Sequence, residues 1–350
     1  FRAPVLSSLF LGISKLTRNG LEKSTAAMSQ EQQQLVSVIR GVHEKLRFDY
    51  QSTGDEERVW EGHCRDAELR KRYADSMLRL ATTIWPFRDR IEWCHQTLRN
   101  YFYEGGLKRA LRSLPSFDQN AESAMEHALR LLQLPPGGKV RLLDVGSCYD
   151  PFRCYEDIEA VAVDLTPARE GVLQCDFLKL RVTDSSGGRW SPYVLTDPLV
   201  ELPAASFQAV VLCMVLEYLP SCLQRWTFCR KAAALLRPYG LLLVVTPDSK
   251  HQQRNAAMVA SWREALGNLG LPKLRYEKRQ HLHCMAFYRC GPVRELSEGE
   301  EVAEARKMYI PQDSRDYVAL FSRVGVEERD EAADVALGEG FSELPDCVDL

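Results

Sequence analysis

The sequence predicts a doubly wound α/β domain with a mostly parallel, Rossmann-like sheet, preceded by a helical region and followed by an acidic extension. Three observations support this prediction. Apolar residues at helical spacing fill the first third of the chain, and short apolar runs then alternate with helical segments. The last 60 residues hold 6 basic against 16 acidic side chains. Nearly continuous apolar strands separated by helices are typical of a parallel sheet covered on both faces.

The helical region is predicted to hold four helices, over residues 29–46, 66–85, 89–105 and 116–134. Ser29 and Gln32 have the spacing of a capping box, in which each side chain bonds the other residue's backbone amide. Asp89 and Glu92 have the same spacing and predict that the third helix begins at Asp89. Pro86 and the glycine pair at 105–106 end the second and third helices.

The sheet is predicted from five apolar runs, at residues 139–146, 159–164, 172–178, 207–216 and 240–246. Helices at 221–236 and 252–269 separate the later strands, and runs at 273–278 and 282–289 predict an antiparallel hairpin at the end of the sheet. The Ser-, Gly- and Pro-rich stretch 181–206 is expected to be a mobile surface loop.

Four segments follow from these patterns. Residues 1–28 are expected to be a disordered or non-native leader. Their basic, nearly acid-free character fits a transit peptide, but we favour translated upstream sequence ahead of a start at Met28. Residues 29–134 form the helical domain and 135–290 the sheet domain. Residues 291–350 form an acidic extension that is expected to be solvated or partner-facing.

The composition excludes several classes of protein. With 350 residues, 45% hydrophobic and 27% charged, the chain is neither collagen-like, nor wholly disordered, nor a disulfide scaffold. It has no run of about 18 apolar residues, so no membrane span is predicted. A net charge of −3 argues against nucleic acid as a partner. Eleven cysteines without a CxxC pair indicate reduced thiols and a cytoplasmic or nuclear location, of which we favour the cytoplasm.

A ligand site is expected at the carboxyl ends of the strands. Asp144 and Gly146 end the first strand, and Gly146 allows a ligand to approach the backbone. Asp164 ends the second strand, 18 residues after Gly146, where an acidic residue binds two ribose hydroxyls. After the third strand, Asp176 is expected to accept an adenine amino group and Phe177 to pack on the ring. The ends of the three strands would therefore contact three parts of one ligand in order. Asp144 would bind its amino-acid part, Asp164 its ribose and Asp176 its adenine. A dinucleotide is less favoured because the G-x-G-x-x-G fingerprint is missing.

The Leu-Asp-Val-Gly, Val-Asp and Cys-Asp-Phe strand ends resemble class I S-adenosylmethionine-dependent methyltransferases across about residues 139–289. Longer strings resemble a family of S-adenosylmethionine sensors of the TOR pathway, kin to a yeast ribosomal RNA adenine methyltransferase; they lie at residues 90–94, 142–148, 151–152, 246–249, 309–313 and 343–346. The resemblance implies a protein that binds the GATOR and KICSTOR complexes when ligand is scarce and restrains TOR signalling. S-adenosylmethionine would release it, and those partners would recruit it to the lysosome surface.

The predicted ligand set is completed by residues beside these strand ends. Leu165 follows Asp164, and Cys213 lies at the end of the fourth strand. The loop after the first strand lacks the extra glycines that usually wrap the amino-acid end of this ligand. Its carboxylate therefore needs another donor, and the guanidinium of Arg90 suits a carboxylate. The candidate set is Arg90, Gly146, Asp164, Leu165, Asp176, Phe177 and Cys213. None of these contacts requires the transferred methyl group, so S-adenosylhomocysteine is expected to bind as well.

Whether the chain is also an enzyme is left open by the sequence. The turn after the fourth strand begins at Glu217 and reads Glu-Tyr-Leu-Pro, not the Asn/Asp-Pro-Pro-aromatic turn of many base methyltransferases. Glu217 or Asp248 could act as a general base, so a methyltransferase acting on RNA adenine or protein is the alternative function. His281, His283 and Cys284 favour a structural strand over a metal site, because no second ligand pair follows at zinc spacing.

Overall fold

A computed structural model describes residues 29–84, 88–112, 121–134, 137–184, 195–248 and 252–313. The predicted leader, Trp85 at the end of the second predicted helix, and residues 314–350 of the extension lie outside these ranges. Among the helices described, none combines the length and the apolarity that crossing a membrane requires.

The helices are α1 (Gln30–Thr53), α2 (Glu56–Arg65), α3 (Ala67–Arg79), α4 (Asp89–Phe102), α5 (Gly106–Arg112), α6 (Ala121–Leu132), α7 (Cys222–Leu235), α8 (Gln252–Asn268) and α9 (Glu298–Arg306). The strands are β1 (Val140–Val145), β2 (Ile158–Asp164), β3 (Leu173–Gln174), β4 (Arg181–Thr183), β5 (Glu201–Pro203), β6 (Phe207–Cys213), β7 (Leu236–Pro247), β8 (Lys273–Arg279) and β9 (Leu282–Tyr288). A π-helical turn (Leu80–Ile84) continues α3, and 3-10 turns occupy Pro151–Cys154, Leu216–Tyr218 and Pro311–Asp313.

The main sheet has seven strands in the order β3-β2-β1-β6-β7-β9-β8. The first five strands are parallel to one another, and β9 runs antiparallel to both β7 and β8. α4, α5 and α6 share one hydrophobic cluster with one face of the sheet, and α7 and α8 share another with the opposite face. The predicted doubly wound sheet with a terminal antiparallel hairpin is confirmed.

The helix starts differ in how they are capped. Ser29 and Gln32 form the predicted capping box: the Gln32 amide donates to Ser29 Oγ at 3.2 Å, and the Ser29 amide donates to Gln32 Oε1 at 2.8 Å. The third predicted helix begins at Asp89, as expected, but the expected capping box is absent, because Arg88 is the N-cap residue and provides no side-chain cap. The Asp89 carboxylate instead binds Arg279 of β8, so a tertiary ion pair replaces the local cap.

The stretch 181–206 is not wholly a loop. Its two ends, β4 and β5, pair as a small parallel ribbon, and Leu199 and Leu202 are buried in the sheet's hydrophobic cluster. The prediction of a surface loop is wrong for these segments, because their apolar residues are buried in the core. Residues 185–194 lie outside the described part of the chain.

The acidic extension is not simply solvated. Ala305, Met308 and Ile310 are buried, at 4%, 0% and 2% exposure, in the cluster that also contains α7 and α8. The Trp262 indole of α8 donates to the carbonyl of Tyr309 at 2.8 Å. Residues up to 313 therefore pack on the sheet domain, because a short apolar stretch follows the acidic residues of α9.

Candidate ligand-binding site

A cleft lies at the carboxyl ends of β1, β2 and β6, beneath α3 and the start of α4. It consists of two adjoining cavities. The β2-side cavity has a volume of about 80 Å³ and the α4-side cavity about 270 Å³. Both are lined by Met77, Gly146, Cys148 and Met214. The strand order reverses between β1 and β6, and ligands of doubly wound sheets bind at such a point.

Gly146 directly follows β1 and lies at the junction of the two cavities. Its φ of +75° is in the left-handed region that favours glycine. A Cβ atom built there would lie 2.6 Å from Cγ2 of Val215. The sequence predicted glycine for close approach by a ligand, but the structure already requires it for the turn and for packing on Val215.

Asp164 ends β2 and lines the β2-side cavity. Its carboxylate accepts hydrogen bonds from the backbone amides of Cys148 at 2.9 Å and Thr166 at 2.8 Å. Burial raises the pKa of Asp164 to about 6, against the effect of these two bonds. Each oxygen of a carboxylate has more than one acceptor site, so Asp164 can still accept ligand hydroxyls. Leu165 lines the same cavity, and Arg70 of α3 donates to its carbonyl at 3.3 Å.

The residues after β3 are placed differently from each other. Phe177 lines the β2-side cavity, with its ring edge-on to Phe228 at 4.9 Å between centroids. Asp176 does not line it, and its carboxylate accepts hydrogen bonds from Trp60 Nε1 and the Leu178 amide, both at 3.1 Å. The ring of Trp60, whose helical position predicts a core residue, lines the cavity beside them.

Asp144, Arg90 and Cys213 line the α4-side cavity. Asp144 is 2% exposed, and its Oδ2 atom has no hydrogen-bond partner. Burial raises the pKa of Asp144 to about 7. Arg90 of α4 hydrogen-bonds the Cys213 sulfur and interacts electrostatically with Asp144. A carboxylate with an open acceptor beside a guanidinium is complementary to the ammonium and carboxylate groups of an amino acid.

Tyrosines from two separate elements complete the wall of the β2-side cavity. Tyr73 of α3 and Tyr218, in the turn after β6, lie 5.0 Å apart between ring centroids and both line the cavity. The Tyr218 hydroxyl hydrogen-bonds His63 of α2, and His43 of α1 bonds the Tyr73 hydroxyl at 2.9 Å. Burial lowers the pKa of His43 to about 3 and that of His63 to about 4, so both are neutral near pH 7. No local sequence pattern identifies these residues as a group.

The two candidate general bases are engaged elsewhere and line neither cavity. Buried Glu217 accepts a hydrogen bond from Thr246, and Asp248 binds Lys278 and, at 3.1 Å, His283. The contact with Asp248 gives the buried His283 side chain of β9 a hydrogen-bond partner, which agrees with a structural role in the strand. Over the described ranges there is no group of three or more His, Cys, Asp or Glu side chains that could hold a metal ion.

The sheet and its cleft define a Rossmann-like α/β protein with a seven-stranded, mostly parallel sheet. No family model matches the chain. A Xenopus tropicalis protein described as "S-adenosylmethionine sensor upstream of mTORC1" is 37% identical over 354 residues, covering 92% of this chain and 86% of that protein. A Danio rerio protein with the same description is 35% identical over 339 residues, covering 91% and 86%. The chain therefore belongs to the family of S-adenosylmethionine sensors upstream of mTORC1.

Solved structures also resemble the chain, at low similarity. The N-methyltransferase NodS from Bradyrhizobium japonicum, in complex with S-adenosylhomocysteine, is 15% identical and covers 53% of this chain and 98% of its own, with a TM-score of 0.30. A 1,6-didemethyltoxoflavin-N1-methyltransferase from Burkholderia thailandensis is 17% identical and covers 59% and 92%, with a TM-score of 0.29. At these TM-scores the matches carry no argument about the site.

Proposed function

We propose that this chain is an S-adenosylmethionine sensor of the mTORC1 pathway, in which ligand occupancy of the cleft changes the surface offered to partners. The observation that carries the proposal is the difference between the two ends of the cleft. Asp164 lies at one end, where it can accept ribose hydroxyls. Asp144 and Arg90 lie at the other end, where they match an amino-acid zwitterion. The description of the relatives agrees with this chemistry.

In this proposal the adenosine occupies the β2-side cavity. The ribose hydroxyls donate to Asp164, while Leu165 and Phe177 pack against the base. Asp176 can reach the adenine amino group once the Trp60 indole, which now donates to it, moves away. The methionine part then extends past Gly146 into the α4-side cavity, where its carboxylate meets Arg90.

The walls of the β2-side cavity support a sensing role. A ligand in this cavity would contact Trp60 on α2 and Tyr73 on α3, which line it together with the strand ends. These residues belong to the helices that lie over the cleft, so ligand binding has a direct route to the position of α1–α3. The ligand can shift the equilibrium between two arrangements of these helices only by the difference between its binding free energies for the two.

The partners are taken from the resemblance of the sequence. The ligand-free protein would bind the GATOR and KICSTOR complexes, and S-adenosylmethionine would release it. Recruitment to the lysosome surface would then depend on those partners, and it would be lost when ligand is added. Co-purification of tagged protein with GATOR and KICSTOR subunits, with and without S-adenosylmethionine, tests this part of the proposal.

Binding and catalysis are separated by measuring both on the same protein. Calorimetric titrations with S-adenosylmethionine, S-adenosylhomocysteine and NAD are paired with transfer of a radiolabelled methyl group to total RNA and protein. We expect binding of the first two ligands, no binding of NAD, and no transfer. NAD affinity equal to that for S-adenosylmethionine would instead favour a dinucleotide site. Turnover of the methyl group would establish the methyltransferase alternative.

A further inference from the structure

The described part of the acidic extension ends on a buried arginine of the sheet domain. The side chain of Arg225 on α7 has 0% exposure. Its Nη1 and Nη2 atoms each lie 2.7 Å from one carboxylate oxygen of Asp313. Nη1 also donates to the carbonyl of Met308 at 2.6 Å. A two-pronged bond between guanidinium and carboxylate is both strong and directional, so it fixes the position of residues 308–313 on α7.

The same guanidinium holds a second segment. Arg225 Nε donates to the Leu219 carbonyl at 3.2 Å, and Nη2 lies 3.5 Å from the Pro220 carbonyl. These residues directly follow Tyr218, whose ring lines the β2-side cavity and whose hydroxyl bonds His63 of α2. Arg225 thus connects the extension to the turn that forms one wall of the ligand cleft.

We propose that Arg225 and Asp313 are positioning residues for the ligand cleft, and that the extension keeps Tyr218 in place through them. This inference rests on the proposed function and deepens it. A fully buried arginine requires a compensating charge, and removing Asp313 leaves that charge unpaired. Arg225 then has to reorient and release the carbonyls after Tyr218. The ligand would have to order this wall when it binds, and its affinity falls by that cost.

The coupling must act in both directions. If the extension steadies Tyr218 and so favours ligand, then bound ligand steadies the extension to the same degree. The Ile310 amide reports on this effect, because it donates to the Asp313 carboxylate at 3.0 Å. S-adenosylmethionine is therefore expected to slow hydrogen exchange at Ile310, although Ile310 does not line either cavity.

The test uses the full chain, the variant Asp313→Asn and the double variant Arg225→Met/Asp313→Leu. The double variant removes both charges, so no unpaired charge is left to unfold the protein. Lys307→Met is the matched control. It deletes ion pairs of the same extension, to Glu264 at 2.7 Å and Glu304 at 2.8 Å, without a contact to Arg225.

Two quantities are measured: S-adenosylmethionine affinity, and exchange of the Tyr218 and Leu219 amides in the unliganded protein. Asp313→Asn is expected to weaken affinity by about tenfold or more and to speed exchange in this turn. The double variant is expected to recover thermal stability. It is not expected to recover S-adenosylmethionine affinity or the protection of the turn amides from exchange. Lys307→Met is expected to match the wild type in both.

A folded double variant with wild-type affinity and wild-type exchange at Tyr218 would overturn the inference. The two proposals fail in different ways. If the wild type binds no S-adenosylmethionine, the proposed function is wrong. Hydrogen exchange in the unliganded variants still decides the present inference. Faster exchange of the Tyr218 and Leu219 amides supports it, and unchanged exchange overturns it.

Discussion

The helices before the sheet form two groups that attach to it in different ways. α4–α6 share a continuous hydrophobic cluster with β1, β6, β7 and β9, in which Trp93, Leu98 and Leu132 are at most 1% exposed. α1–α3 have two small clusters of their own, around Ile39 and around Leu46. The first group is a layer of the sheet domain, whereas the second lies over the carboxyl ends of the strands.

α1–α3 meet the sheet domain through hydrogen bonds to its loops and through the rings of Trp60 and Tyr73, which pack on Tyr218. Arg47 donates to the Glu217 carbonyl at 3.1 Å, and Arg70 donates to Thr166 Oγ1 at 2.7 Å. Trp60 is buried in the sheet's cluster, but its indole also bonds Asp176 beside the cleft. Each such bond contributes a net of about 0.5–1.5 kcal/mol. The comparison predicts that moving α1–α3 costs less than moving α4–α6, because moving α4–α6 would open the core.

The largest expected effect separates the two groups by truncating one buried residue in each. Leu98→Ala in α4 is expected to lower the free energy of global unfolding by about 2–5 kcal/mol, because it leaves a cavity in the main core. Ile39→Ala in α1 is expected to release α1–α3 locally and to leave the unfolding of the sheet nearly unchanged. Hydrogen exchange resolved by segment, with urea denaturation, measures both. Equal global losses would show that the two groups form one cooperative unit.

The next effect concerns the sheet side of the cleft. Asp164→Asn is expected to weaken S-adenosylmethionine binding by about 1.5–3 kcal/mol, because the ribose hydroxyls lose a charged acceptor. Asp157→Asn is the matched control, since Asp157 is a carboxylate outside the cleft that bonds His95 at 2.8 Å. Calorimetry measures both affinities. Gly146→Ala is a poorer probe, because its Cβ would meet Val215 and distort the protein itself. Unchanged affinity in Asp164→Asn would remove Asp164 from the site.

Arg90 tests whether α4 anchors the ligand while α1–α3 move. Arg90→Ala is expected to weaken S-adenosylmethionine binding by about 1–2 kcal/mol, through loss of a charge-assisted bond to the ligand carboxylate. Association with partners should then become insensitive to added ligand. Arg99→Ala, on the same helix, removes an exposed arginine that bonds Asp157 and is the control. An Arg90 variant that binds normally and still releases partners would show that α4 does not hold the ligand through this residue.

The smallest expected effect is the pH dependence of binding. Burial raises the pKa of Asp144 to about 7 and that of Asp164 to about 6. Both acceptor roles need the ionised carboxylate, so affinity is expected to rise by about tenfold between roughly pH 6 and pH 8. Asp144→Asn should remove most of this change. Calorimetry in buffers of different ionisation enthalpy would also detect the protons released, and a flat wild-type profile would contradict the assignment.

Stability of the unliganded protein should show the opposite trend, between about pH 4 and pH 7. The folded state holds a proton on Asp144 up to a pKa of about 7, whereas the unfolded chain releases it near the ordinary aspartate pKa of 3.8. The folded state therefore binds more protons between these values, and the free energy of unfolding falls as pH rises through them. Asp144→Asn is expected to flatten this slope in denaturant titrations.

The strand ends could be predicted from the sequence because their causes are local. A buried strand is a short apolar run, and the first polar or glycine residue after it marks the carboxyl end. Gly146 and Asp164 follow from that pattern, and parallel neighbours bring them to the same edge of the sheet. The sheet, the antiparallel hairpin and the placement of Leu165, Phe177 and Cys213 at the cleft follow from the same reasoning. Arg90 has another basis, because it is predicted from the need for a donor to the ligand carboxylate.

Tertiary structure alone decided how the remaining polar groups are paired. Asp176 bonds Trp60, 116 residues away, and Arg225 bonds Asp313, 88 residues away. Asp89 binds Arg279 where a helix cap was expected. Such partners are selected by burial: a polar group removed from water needs a hydrogen bond, and the nearest available group in space provides it whatever its position in the chain. Local spacing carries no information about that choice, so the aromatic wall of the cleft and the docking of the extension emerge only from the folded chain.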